Sequence, residues 1–98
     1  MLNSKQRAQL RARANGIDTI FQVGKGGITD ALVKQTDDAL TARELIKLRV
    51  LETAPEEVRT VADQLAMRTH ADVVQVIGSR LVLYRANPDL KEPIRLCR

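Results

Sequence analysis

Apolar and polar residues recur along the chain with two different periods, and each period predicts a different kind of element. Spacings of three and four residues predict helices from a cap at Ser4 to about Ala14, from Thr29 onward and after Thr53. Short alternating or β-branched runs predict strands. These runs are residues 19–23, 44–51, 73–77 and 81–85. The predicted order is therefore αβαβαββ.

Several helix ends carry residues with strong capping preferences. Gly16 is expected to end the first helix, because glycine accepts the left-handed conformation. Thr29 is a suitable N-cap for the second helix. Thr53 with Glu56 three residues later predicts a capping box for the third helix, with Pro55 in its first turn.

The strand at residues 44–51 is expected to bury one face only. Because side chains alternate along a strand, one face is expected to be buried and carries Ile46, Leu48 and Val50. The other face is expected to point outward and carries Leu45, Lys47 and Arg49. Gly78 leads a short turn that predicts a hairpin between the last two strands. From Asn87 onward two prolines and few apolar residues predict an irregular tail.

Length and charge narrow the function. Ninety-eight residues suffice for one domain only. The net charge is +4, and the basic residues concentrate in residues 1–29 and 76–98, whereas residues 30–75 are net negative. This division favours a polyanionic partner over a uniform surface charge.

The supply of catalytic groups is poor. The chain has one histidine, His70, which is expected to close the third helix, and one cysteine, Cys97, next to the C-terminus. No cluster with metal-ligand spacing is present, so we expect no enzyme activity, no metal and no cofactor. Without a disulfide pair or a membrane-length apolar run, the expected location is the cytoplasm.

The turn at Gly24-Lys25-Gly26-Gly27, between a strand and a helix, is the strongest local signal for binding an anion. A dinucleotide fingerprint would need glycine where Thr29 stands, and a triphosphate loop would need Gly-Lys-Ser/Thr. The pattern fits the Gly-x-x-Gly loop of KH-type RNA-binding domains. By itself it also fits a structural turn that needs a positive φ.

The two aromatic residues, Phe21 and Tyr84, are expected in the core or on a strand face. The chain therefore lacks the stacking platform with which many RNA-binding domains hold unpaired bases. We expect recognition to use phosphates and the shape of folded RNA.

Several separated blocks, in order, carry a resemblance to a known family. The blocks are residues 21–30, 44–50, 74–78 and 81–85. Over about residues 3–86 the chain resembles the stand-alone CRM-domain proteins of the bacterial YhbY type. The resemblance implies one α/β domain over residues 1–98, with a four-stranded mixed sheet packed with three helices. Such a fold is similar to the C-terminal domain of translation initiation factor three. In this chain residues 87–98 are expected to form an irregular tail after the domain core.

The resemblance also implies RNA binding and a role in assembly of the large ribosomal subunit. Carried over residue by residue, the RNA-binding positions are Gly24, Lys25, Gly26, Gly27, Lys5, Arg7, Arg11 and Lys47. Where relatives often have His and Pro near the end of the first helix, this chain has Asn15-Gly16-Ile17, so the exit of that helix is expected to differ.

The leading hypothesis is an RNA-binding protein, expected to be a monomer, with ribosomal RNA of the precursor large subunit as partner and with neither a membrane nor a small-molecule substrate. Lys25 and the amides of Gly26 and Gly27 would contact phosphates. The alternative is a module that binds ribosomal proteins, with a basic surface that steers the encounter only. A nucleotide-binding enzyme is poorly supported by the motifs above.

Overall fold

The computed structural model describes residues 2–97 and has the predicted element order. The helices are α1 (Ser4–Ala14), α2 (Asp30–Arg43) and α3 (Val58–Thr69). The strands are β1 (Thr19–Val23), β2 (Leu45–Val50), β3 (Asp72–Ile77) and β4 (Arg80–Tyr84). The prediction αβαβαββ is confirmed.

The four strands form one mixed sheet in the order β1-β2-β4-β3. β1 and β2 are parallel and are connected through α2, whereas β4 is antiparallel to both β2 and β3. β3 and β4 form the predicted hairpin, and Gly78 in its turn has a φ of 57°. Since β2 and β4 are central, β1 and β3 are the two edges of the sheet.

Helices cover both faces of the sheet, so the prediction of one buried face for β2 is wrong. α2 and α3 pack on one face around Ile46, Leu48 and the residues near them. α1 packs on the other face through Leu10 and Ala14, which form a second apolar cluster with Leu45. Leu45 is consequently only 5% exposed. The domain has three layers, with the sheet in the middle.

The ends of α1 differ from the prediction. Asn3, not Ser4, is the N-cap: its side chain accepts from the Gln6 amide at 2.8 Å, and the Gln6 side chain accepts from the Asn3 amide at 3.1 Å. At the other end Asn15 is the C-cap in the right-handed region, and Gly16 does not adopt the predicted positive φ. The N-cap therefore lies one residue earlier than predicted, and it forms a capping box with Gln6.

The capping box predicted for α3 is also wrong. Residues 52–56 form turns and bends, and the helix begins at Val58 after an extended N-cap, Glu57, that makes no side-chain hydrogen bond. Thr29 caps α2 as predicted, accepting from the Leu32 amide at 3.0 Å. His70 closes α3 in the left-handed conformation, with a φ of 57°.

Residues 85–97 contain neither helix nor strand, as predicted for the tail. This segment is nevertheless packed against the domain. Ile94 and Leu96 contact the apolar cluster under α1, and the Gln9 side chain donates to the Arg95 carbonyl and accepts from the Cys97 amide. The tail thus extends the layer formed by α1.

Candidate nucleic-acid interface

The glycine turn joins β1 to the N-cap of α2 and is closed by a hydrogen bond. The Gly27 amide donates to the Gly24 carbonyl at 2.9 Å, and Gly27 has a φ of 65°. Lys25 and Gly26, at the tip, are exposed. The prediction that the Gly27 amide contacts a phosphate is therefore wrong, because this N–H already donates its hydrogen bond to the Gly24 carbonyl.

Position 27 requires glycine because of its positive φ and also because there is no space for a side chain. A Cβ at this position would lie 2.9 Å from Glu56 Oε2 and 2.9 Å from Pro55 Cγ, too close for any real side chain. Glu56 Oε2 is buried there without a hydrogen-bond partner among residues 2–97. The segment before α3 thus supports the inner side of the turn, and the outer side, with Lys25 and Gly26, faces solvent.

The N-terminus of α2 already has its own polar partners. The Thr29 hydroxyl accepts from the Leu32 amide, and Asp30 places a carboxylate in the first helical turn. Asp30 also accepts a hydrogen bond from Arg68 at 3.0 Å. Because an acidic side chain occupies the positive end of the helix dipole, the tip of the turn is the better position for a phosphate.

The cations of α1 differ in their surroundings. Lys5 and Arg11 are exposed on the helix. Arg7 is half-buried, and its guanidinium donates to the carbonyl of Val73 on β3. Arg7 therefore holds α1 to the edge of the sheet, whereas Lys5 and Arg11 face solvent.

Lys47 connects the α1 layer to the uncovered part of the sheet. It lies on the same face as Leu45 and directly opposite Val82, a member of the cluster under α1. Its side chain is half-buried. Lys47 therefore stands where the cover provided by α1 ends.

Beyond Lys47, toward the glycine turn, one exposed row of side chains crosses all four strands. The pairing Gln22 to Arg49, Arg49 to Arg80 and Arg80 to Ile77 places these four residues side by side on the α1 face. All four are exposed. We call Gln22, Arg49, Arg80 and Ile77 the open row. Gly24 follows two residues after Gln22, so the row and the turn lie at the same end of the sheet.

The open row could be predicted from the sequence only in part. The alternation in β2 predicts that Arg49 shares a face with Lys47, which the structure confirms. The sequence pattern predicts Arg80 in the hairpin turn, whereas in the structure it is the first residue of β4 and lies opposite Arg49. Strand register, which a single sequence does not specify, was the missing information.

The two aromatic residues lie where they were expected. Tyr84 is buried in the cluster under α1, and Phe21 packs partly buried against the other core. Burial raises the pKa of Tyr84 above 10.0, and the carboxylates of Glu44 and Asp72 raise it further. Neither ring is available as an exposed platform for a base.

Two further properties concern the part of the chain that the structure describes. Across residues 2–97, no helix has both the length and the apolar composition needed to cross a membrane. Within the same residues, His, Cys, Asp and Glu side chains do not gather into a group of three that could hold a metal ion.

Comparison with known proteins connects this geometry to a family. The family model of the CRS1/YhbY (CRM) domain matches residues 2–85. The chain is 44% identical over 92 residues to the Probable RNA-binding protein YqeI of Bacillus subtilis, with 94% of this chain and 96% of that protein covered. An RNA-binding protein of Haemophilus influenzae is 31% identical over 90 residues, covering 92% of this chain and 91% of that protein.

A solved structure has the same fold. It is the solution structure of the hypothetical protein SAV1595 from Staphylococcus aureus, described as a candidate RNA-binding protein. The TM-score is 0.82 at 46% identity, and the match covers 99% of this chain and 100% of that one. Since the family model spans all three helices and all four strands, the chain belongs to the CRS1/YhbY (CRM) domain family.

Proposed function

We propose that this chain is an RNA-binding protein that contacts structured ribosomal RNA through the tip of the glycine turn and acts in assembly of the large ribosomal subunit. The observation that carries the proposal is the turn itself: Lys25 and Gly26 are exposed at its tip, while Gly27 is held from behind by Pro55 and Glu56. In this geometry a phosphate can approach the backbone closely beside a cation.

The positive charges on the α1 face support an RNA contact that extends beyond the glycine turn. Lys5 and Arg11 are exposed on α1, and Lys47 lies at the edge of its cover. Arg7, with one nitrogen engaged at Val73, keeps further donors on its guanidinium. The relatives named as RNA-binding proteins match this chain in sequence over nearly their whole length, which favours RNA as the polyanion.

Ribosomal RNA is proposed because the contact surface fits folded RNA better than an unpaired strand. Both aromatic residues are engaged in packing, so bases have no exposed ring on which to stack. A phosphate-reading surface recognises the shape of a folded RNA. We propose that the protein acts as a monomer in the cytoplasm on the precursor of the large subunit.

The direct test replaces the tip of the turn. In Lys25→Asp/Gly26→Asp two new negative charges stand at the proposed phosphate contact, and the new Cβ at residue 26 meets only Thr29 Cγ2, at 3.8 Å. We expect this variant to keep its circular dichroism spectrum and lose binding to purified large-subunit ribosomal RNA in filter-binding assays. Wild-type affinity should fall with a log–log salt slope of roughly −4 to −5 if about six phosphates are contacted.

A charge-matched control distinguishes an effect of the glycine turn from an effect of net charge. Ala42→Asp/Arg43→Asp makes the same charge change at exposed positions at the far end of α2, ~20 Å along the helix from the turn. We expect it to reduce affinity far less than the loop variant. Equal RNA binding by the folded loop variant and the wild type would refute the role of the turn.

The assembly role has a separate test. Crosslinking of the protein in cell extract, followed by identification of the bound segments, should recover precursor RNA of the large subunit. Association with ribosomal proteins that survives RNase treatment would instead favour a protein-interaction module.

A further inference from the structure

Arg49 and Arg80 form a like-charge pair across the centre of the sheet. They are directly opposite each other in the antiparallel ladder between β2 and β4, so their side chains project from the same face. Cβ atoms of such pairs are typically ~5 Å apart, and like-charged side chains placed directly opposite each other are destabilising. The free protein therefore places two cations where they destabilise each other.

The surroundings do not neutralise this pair. The ion pairs within residues 2–97 involve Lys34, Arg59, Arg68 and Arg85, and none of them includes Arg49 or Arg80. The neighbours in the open row are Gln22 and Ile77, and the next residue of β2 on the same face is Lys47. None of these neighbours carries a negative charge.

The shape of the surface admits such an anion. A shallow depression of about 470 Å³ lies over β1 and the adjoining strands and is lined by Thr19, Ile20, Phe21, Gln22, Arg49 and Arg80. Gln22, Arg49 and Arg80 thus line the same open space. Guanidinium groups bind phosphate oxygens in a bidentate manner, whereas a lysine provides a point charge only.

We propose that Arg49 and Arg80 form a phosphate subsite, with Gln22 as an additional hydrogen-bond donor, that binds the backbone of the same RNA that contacts the glycine turn. This inference rests on the proposed function. The open row lies between Lys47 and the turn, so the subsite joins the cations of the α1 layer to Lys25 in one continuous track. The RNA backbone then crosses the strands at the uncovered end of the sheet.

The subsite is tested with Arg49→Gln/Arg80→Gln and a matched control, Lys34→Gln/Arg59→Gln. The control loses the same two charges at exposed positions in the helical layer on the opposite face. With purified large-subunit ribosomal RNA at 0.1 M salt, loss of two phosphate contacts should weaken binding on the order of 20- to 60-fold and make the log–log salt slope shallower by roughly 1.4 to 1.8. The control should retain affinity within about threefold and keep the wild-type slope.

A second readout concerns the free protein. Because the two arginines repel each other, Arg49→Gln/Arg80→Gln should have a melting temperature equal to or above that of the wild type. Lys replacements at both positions keep the charge but lose the planar fork, so they should retain the salt slope and lose part of the affinity.

The outcomes separate the subsite from the proposed function. If the loop variant loses RNA binding while Arg49→Gln/Arg80→Gln binds as the control does, the subsite is refuted and the function of the turn stands. A fall in affinity accompanied by a lower melting temperature would also refute the subsite, because the arginines would then act by supporting the fold. A wild-type protein that does not bind the RNA would refute both proposals.

Discussion

The Glu44 carboxylate accepts a hydrogen bond from the backbone amide of Ile94 at 2.7 Å, fifty residues later in the chain. Its other oxygen accepts from the Asn87 amide at 2.9 Å. Glu44 is the C-cap of α2, is 2% exposed, and has a φ of 64°, which is uncommon for a residue with a side chain. One buried carboxylate thus attaches the tail segment at two points, Asn87 and Ile94, to the junction between α2 and β2.

Replacing this carboxylate should weaken the fold. In Glu44→Gln the side chain keeps one acceptor oxygen and turns an NH₂ group toward the second amide, so one buried hydrogen bond is lost. We expect the free energy of unfolding to fall by about 1 to 3 kcal/mol, measured by urea denaturation. Glu52→Gln, the same chemical change at an exposed turn position, should stay within about 0.5 kcal/mol of the wild type. Equal stabilities would contradict this function of Glu44.

Arg85, just after β4, connects three elements through one guanidinium. It donates to Asp37 Oδ1 at 2.5 Å, to the Thr69 carbonyl at 2.8 Å and to Thr41 Oγ1 at 2.7 Å. Arg85→Lys keeps the charge but cannot reach all three acceptors, so we expect a loss of about 1 to 3 kcal/mol in the free energy of unfolding. The exposed replacement Arg59→Lys is the control, and thermal unfolding followed by circular dichroism is the measurement.

Most elements could be predicted from the sequence because period and turn residues are local properties. β1 begins and ends at the predicted residues, and Thr29 caps α2 as expected. The predicted capping box at Thr53 and Glu56 failed for a tertiary reason, since Pro55 and Glu56 pack against Gly27 instead of starting a helix. At this position the packing that supports the glycine turn outweighs the local preference of Thr53 and Glu56 for a helix cap.

The candidate interface could be predicted only in part. The turn is a contiguous motif and is visible in the sequence, whereas the neighbourhood of Arg49 and Arg80 depends on the register of two strands thirty residues apart. The cover of Leu45 by α1 was also not predictable, because α1 has a thin apolar stripe and an isolated strand pattern does not reveal a second helical layer. Both failures come from contacts between distant segments.

Gly26 and Gly27, neighbours in the glycine turn, should differ sharply in their tolerance to alanine. Gly27→Ala adds a Cβ 2.9 Å from Glu56 Oε2 at a φ of 65°, so we expect a loss of about 2 kcal/mol or more in the free energy of unfolding. Gly26→Ala places its Cβ 3.8 Å from Thr29 Cγ2, an ordinary contact, and should change stability by less than about 0.5 kcal/mol. Urea denaturation of both variants is the measurement, and similar losses would contradict the distinct function of Gly27.

Tyr84 is the single tyrosine of a chain without tryptophan, so its ionisation can be followed directly by absorbance of the tyrosinate. Burial, then the nearby carboxylates of Glu44 and Asp72, raise its pKa, and we expect the titration midpoint of the folded protein to lie above 10.0. A midpoint at or below that value would contradict the buried placement.

The same shift predicts how stability responds to alkali. Above pH 10 the unfolded chain releases the Tyr84 proton while the folded protein retains it, so the free energy of unfolding decreases as pH rises from 10 through the raised pKa of the folded state. Below that range this contribution is fully present. Tyr84→Phe keeps the ring and removes the ionisable hydroxyl, so its stability should fall less steeply across this range than that of the wild type. Urea denaturation at a series of pH values compares the two proteins, and parallel curves would exclude Tyr84 as the source of the alkaline loss.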